Sequence, residues 1–95
     1  MKRVIFSRKA RTDIDHIFDY TAERWGPDQA ARYTYDIQGA CGDLATGLRQ
    51  GRPVDVRPGY LKYTAGAHVV YFRDCGDRLE VIRVLHGRMD VGRHL

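Results

Sequence analysis

The sequence predicts an α+β fold in the order β-α-α-β-β-β, an antiparallel sheet packed on one face by a helical hairpin. Three observations carry that expectation. Two segments with apolar residues at helical spacing meet across Gly26-Pro27 without a linker. Beyond Gly47 the texture switches to short β-rich runs separated by turn residues. Helical and extended segments are also segregated along the chain, which is the α+β pattern rather than the alternating one. A chain of 95 residues builds one core and not two, so a single domain over 1–95 is expected.

Arg3–Phe6 is a β-branched and aromatic run and reads as the first strand. Ser7 then stands where a helix N-cap belongs, its hydroxyl oxygen able to accept from an orphan backbone N–H. Asp13 and Asp15 are read as lying near the helix start, where carboxylates suit the dipole. Ala10, Ile14, Ile17, Phe18, Thr21 and Trp25 follow a 3.6-residue period. Gly26 ends this helix, and Pro27 opens the next, where its missing N–H costs nothing. The second helix carries Ala30, Tyr33, Ile37, Cys41, Leu44 and Leu48 on one face. Gly39 and Gly42 weaken it by about 1 kcal/mol each relative to alanine, so a close backbone approach is expected there.

After a loop at 49–53, strands are predicted at 54–57, 60–65, 69–73 and 79–85. The separators Pro58-Gly59, Gly66-Ala67 and 74–77 are turn chemistry. Pro-Gly favours a type II turn, which splays strands, so the first link is not expected to be a tight hairpin. The last three strands form an antiparallel meander. The second sheet face then requires a cover or a partner.

Composition excludes several classes. With 43% hydrophobic and 29% charged residues the chain is neither disordered nor fibrous. No stretch is apolar enough to span a bilayer, the start is too short in apolar residues for a signal peptide, and a cytoplasmic location is expected. Residues 1–48 carry seven basic and seven acidic side chains, while 49–95 carry nine against five, so the whole +4 lies in the second half. Such asymmetry suits an acidic partner as well as plain solubility.

His16, His68, His86 and His94 show no paired ligand spacing, and no metal or cofactor is expected. Cys41 lies on the core face of the second helix and Cys75 in an acidic turn, so neither reads as a nucleophile. Tyr33 and Tyr35 lie about 200° apart on a helical wheel, so one of them must be exposed. In the last strand, alternation puts Val81, Arg83 and Leu85 on one face and Ile82, Val84 and His86 on the other. Arg83 among apolar neighbours is either a salt-bridged sheet residue or a pre-positioned cation for a phosphate or carboxylate. Meander geometry brings Arg73, Lys62, His86 and Arg88 near it, and such a set could support RNA cleavage.

Several ordered motifs together resemble the ParE-type toxins of the RelE/ParE superfamily. They are Ser7-x-x-Ala10-x-x-Asp13-Ile14, Arg24-Trp25-Gly26, Arg57-Pro58-Gly59-Tyr60, and the strand from Gly66 through His68 and Tyr71 to Arg73. The set closes with Ile82-Arg83-Val84-Leu85-His86-x-Arg88-Met89-Asp90. The resemblance runs from residue 3 to residue 95. It implies a bacterial toxin of a type II toxin–antitoxin pair, inhibiting DNA gyrase by direct binding and requiring no cofactor. Its partner would be a ParD-type antitoxin with a ribbon-helix-helix N-terminus and a C-terminal segment wrapping the toxin's helices and sheet edge. DNA would be touched only through that antitoxin, and no membrane is involved.

By the same resemblance Ile17, Tyr20, Trp25, Tyr33 and Tyr35 are expected to bind the antitoxin. Lys62, Arg73, Arg83, His86, Arg88, Met89 and Asp90 are expected to face the target. The alternative is a RelE-like ribosome-dependent mRNA endonuclease using Arg83, His86 and Arg88, or an attenuated toxin that only binds antitoxin. Residues 86–95 lack the tyrosine such nucleases place near the C-terminus, which favours the inhibitor. One departure is Leu61, where related sequences often have arginine after Gly-Tyr. Lys62 follows one place later, on the opposite face of the strand.

Overall fold

The computed structural model describes residues 2–95. Its elements are β1 (Arg3–Phe6), α1 (Arg8–Trp25), α2 (Pro27–Thr46), β2 (Arg52–Pro53), β3 (Leu61–Ala65), β4 (His68–Asp74) and β5 (Arg78–His86), followed by a 3-10 turn at Val91–Arg93. Ser7 caps α1 as expected: its Oγ accepts from Ala10 N–H at 3.0 Å and donates to the Ile82 carbonyl at 2.7 Å. One side chain therefore starts the helix and ties it to the sheet. Gly26, at φ +94°, both closes α1 and opens α2, with Pro27 at the first helical position. Gly47 ends α2 in the left-handed conformation, φ +84°. Leu48 accordingly lies beyond the helix and is exposed.

The sheet order is β1-β5-β4-β3-β2. β3, β4 and β5 form the expected antiparallel meander. The sheet is nevertheless mixed, because β1 pairs parallel to β5, Arg3 opposite Arg78 through Phe6 opposite Val81. The helical hairpin acts as the crossover that a parallel pairing requires. The 54–57 strand is absent: β2 is only Arg52–Pro53, and Pro53 limits its ladder. Instead Arg57–Tyr60 form the type II turn anticipated from Pro58-Gly59, with Gly59 at φ +84° and Tyr60 N–H on the Arg57 carbonyl.

Between the helices and the sheet, Ala10, Ile14 and Ile17 of α1 and Ile37, Cys41 and Leu44 of α2 pack on Val70, Phe72, Leu79, Val81 and Val84. Burying side chains such as Ile37 and Leu79 stabilises by about 1.5–3 kcal/mol each. The opposite sheet face carries a second cluster of Val54, Tyr71 and Leu85, covered by Tyr60, Val69, Val91 and Leu95. The loop before β3 and the chain after β5 thus supply the cover that this face requires.

The alternation expected for the last strand breaks at a bulge. Tyr71 pairs with Arg83 but Phe72 pairs with Val81, leaving Ile82 as the extra residue. Val81 and Val84 therefore both face the helices, together with His86, while Arg83 and Leu85 lie on the far side.

Candidate functional site

β1 ends at Phe6, so β5 beyond Val81 has no strand on that side. Asp13 closes this gap. Its Oδ2 accepts from Val84 N–H at 2.9 Å and from Arg83 Nε at 2.7 Å, while Oδ1 accepts from Arg83 Nη2 at 2.8 Å. The pair is bidentate and mostly buried, and it holds the guanidinium more firmly charged than usual. A third donor of Arg83, Nη1, reaches the His94 carbonyl at 3.5 Å. Asp13 is thus a sheet-edge acceptor in the middle of α1, not a first-turn acid: the first turn of α1 has none.

The expected target-facing residues separate into three places. Cross-strand pairing lines up Arg52, Lys62, Tyr71 and Arg83 in one row on the far face. In the next row Arg73 stacks over the Tyr60 ring at 5.7 Å and lies 3.9 Å from Glu80. Lys62 and Leu61 do face opposite sides, with Leu61 packed against the helix-side core. His86 belongs to the helix side. Arg88, Met89 and Asp90 form an exposed turn in which Asp90 Oδ1 accepts from Gly92 N–H at 3.0 Å.

The expected antitoxin-binding residues divide as well. Ile17 is only 7% exposed and sits in the helix-side core, so it offers no surface and drops out. Tyr20, Trp25 and Tyr35 are 55%, 61% and 74% exposed. Tyr33 is half-buried, so Tyr35 is the exposed member of the pair. Two of the depressions bordering α2 contain these exposed aromatics. The first, about 500 Å³, runs between α2 and β3 and includes Tyr35, Gly39, Asp43, Arg49 and Tyr63. Because β2 pairs only with Leu61 and Lys62, the outer edge of β3 from Tyr63 to Ala65 has no strand partner among the described residues. A Cβ added at Gly39 or Gly42 would meet no described residue of another element within 4 Å, so the expected close approach inside the chain does not occur.

The second depression, about 340 Å³, opens at the tip of the hairpin between Tyr20, Trp25, Gln29, Tyr33, His68 and His86. Tyr33 reaches His68 Nδ1 at 2.7 Å, and its oxygen also accepts from Ala67 N–H at 3.0 Å. The His68 and His86 rings meet edge to face, 5.4 Å between centroids. Burial, reinforced by the neighbouring His86, holds His68 below the ordinary imidazole value. No single motif announces this cluster, since Tyr33 and His68 are 35 positions apart. The β4–β5 register, which sets His68 opposite His86, was the available signal.

Two helices on a five-stranded mixed sheet, with a cation row on one face and exposed aromatics on the hairpin, define a small α+β domain of the RelE/ParE toxin type. Comparison with known proteins identifies it further. The family described as ParE toxin of type II toxin–antitoxin system, parDE, matches residues 4–91. Toxin ParE1 of Mycobacterium tuberculosis is 43% identical over 98% of this chain and 97% of its own length. Toxin ParE1 of Caulobacter vibrioides is 41% identical over 100% and 99%. Among solved structures, a chain of the chromosomal ParDE toxin–antitoxin system from P. aeruginosa superposes with a TM-score of 0.79 at 27% identity, covering 90% of this chain and 96% of that one. The chain belongs to the ParE toxin family of type II toxin–antitoxin systems.

Proposed function

We propose that this toxin acts in the cytoplasm by binding DNA gyrase rather than by cutting RNA, and that a ParD-type antitoxin neutralises it. The observation that carries the reading is the Asp13–Arg83 pair. A nuclease needs a free cation on the last strand to stabilise a phosphorane, and here that guanidinium is already held by two carboxylate oxygens. What stays available is a surface for binding: Lys62 and Arg73 on the far face and the exposed Arg88-Met89-Asp90 turn. Binding of this kind involves no bond-making step and calls for no cofactor.

The antitoxin reading is supported by the other side of the molecule. Tyr20, Trp25 and Tyr35 expose large rings, and the open edge of β3 suits an added strand. DNA is then contacted through the antitoxin. Purified chain added to gyrase and relaxed plasmid is expected to block supercoiling while leaving added mRNA intact, and equimolar antitoxin is expected to reverse the block. Full growth of cells making soluble, folded chain without antitoxin would sink the active-toxin reading.

One observation favours the nuclease alternative. Although residues 86–95 hold no tyrosine, Tyr33 arrives from α2 within 2.7 Å of His68 and beside His86. On that reading translating ribosomes yield cut transcripts, and His86→Ala abolishes the cuts.

A further inference from the structure

Hydrogen bonds set the tautomer of His86 in the cavity at the hairpin tip and favour the same one for His68. His86 Nδ1 accepts from Arg88 N–H at 3.1 Å, so the proton of the neutral ring is on Nε2. Tyr33 already accepts from Ala67 N–H, and the arrangement that also pairs its hydroxyl proton has Tyr33 donating to His68 Nδ1. That places the His68 proton on Nε2 as well. Each ring is left with one N–H donor, and both rings border the same cavity. Its walls contain no carboxylate. Arg24 stacks on Tyr20 beside it, and Arg88 follows His86.

We propose that this cavity receives an acidic side chain of the antitoxin, its carboxylate accepting from Nε2 of His68 and His86 while flanking apolar residues pack on Trp25 and Tyr20. The proposal rests on the antitoxin reading above and sharpens it to one anchoring contact. Two imidazole donors in an aromatic-walled, carboxylate-free cavity match an oxygen anion in hydrogen-bond sense. A cation would meet repulsion from Arg24, which stacks on Tyr20, and a purely apolar side chain would leave both donors unpaired.

Such a contact links binding to protons. The groups bordering the imidazoles are Tyr33 from α2 and Tyr20 from α1, with Arg24 stacked on Tyr20 and Asp13 of α1 a weaker charge acting on His68; Arg88 touches His86 through its backbone N–H. None of the cavity residues supplies a counter-charge in the free chain. An incoming carboxylate favours the His68 imidazolium and raises its value in the complex. Affinity is therefore greatest at pH below the free-state value of His68 and declines as pH rises through its bound-state value.

The test uses the full chain and the antitoxin that neutralises it in co-expression. Calorimetry is expected to show binding about tenfold tighter near pH 6 than near pH 8, one unit of coupled shift being a factor of about ten. His68→Gln with His86→Gln, which keeps polar groups but cannot titrate, is expected to flatten that dependence. Imidazole nitrogen NMR of the unsubstituted complex gives a measurement free of any folding defect, and the His68 ring should take up a proton on binding. An antitoxin that binds with no pH dependence, or a His68 resonance that titrates identically free and bound, overturns the anchoring contact alone. An antitoxin that does not bind at all overturns the antitoxin reading itself.

Discussion

Asp13 and Arg83 are 70 positions apart, and each answers the other's cost of leaving water. Removing one partner strands a mostly buried charge. Asp13→Asn keeps an oxygen for Val84 N–H but loses the carboxylate, and is expected to destabilise the chain by about 3 kcal/mol in urea unfolding. The two cysteines make a sharper contrast. Burial pushes the Cys41 thiol up to about 11, so it stays protonated and shielded at neutral pH. Cys75 is only half-buried in its turn. Thiol titration at pH 8 is expected to label one cysteine in the native chain and two in denaturant; fast labelling of both would contradict the burial of Cys41.

Gly39 and Gly42 belong to the scale of the element. Both lie within α2, where glycine costs about 1 kcal/mol against alanine, and neither repays that cost inside the chain because no atom approaches. Each glycine-to-alanine change is therefore expected to raise stability by about 0.5–1 kcal/mol, read as a higher urea midpoint at unchanged slope. Gly39 also lies in the depression along the open β3 edge, where a methyl group would meet an added strand. Gly39→Ala is expected to weaken antitoxin binding while stabilising the free toxin, a split that a purely structural glycine would not give. Gly66 is the opposite case. It turns at φ +63°, and a Cβ there would meet the Tyr33 ring at 2.9 Å, so the β3–β4 turn requires glycine for both conformation and space.

At the scale of the molecule, stability should follow pH in two stages. His68 is held below its ordinary value by burial and by His86, so the unfolded chain binds protons more readily than the folded one. Stability is then level above about pH 6.5 and falls as pH drops from there through the folded value. Asp74 and Glu80 act lower down. Lys2 and Arg78, respectively, hold these carboxyls below their usual range, and their contribution is lost as pH falls through those depressed values. Urea midpoints from pH 8 to pH 5 are expected to decline, with His68→Gln removing part of the slope. A midpoint unchanged across that range would contradict the burial of His68.

Much of this architecture is legible in the residues because it depends on neighbours in the chain. The Ser7 cap, the Gly26-Pro27 junction, the Pro58-Gly59 type II turn and the β3–β5 meander are decisions of backbone sterics and apolar period. Each was readable in place. Wheel geometry also requires one of Tyr33 and Tyr35 to be exposed without saying which, whereas Trp25, placed by the period on the apolar face of α1, is exposed because that helix ends there. Family membership was readable from the ordered motifs, and the comparisons agree.

Other features depend on partners distant in sequence, and only the tertiary structure decides them. Parallel pairing of β1 with β5 stops at Val81 and leaves the β5 edge beyond it for Asp13 to close. One bulged residue, Ile82, reverses which side of the sheet Val84 and His86 face, because a strand has a period of two and a single insertion inverts everything after it. That inversion carries His86 away from the far-face cations and beside His68 and Tyr33. Tyr33 reaches that pair of rings from α2, through its contact with His68. The question whether Arg83 is a free cation or a paired one is answered by a carboxylate that no local pattern in β5 could reveal.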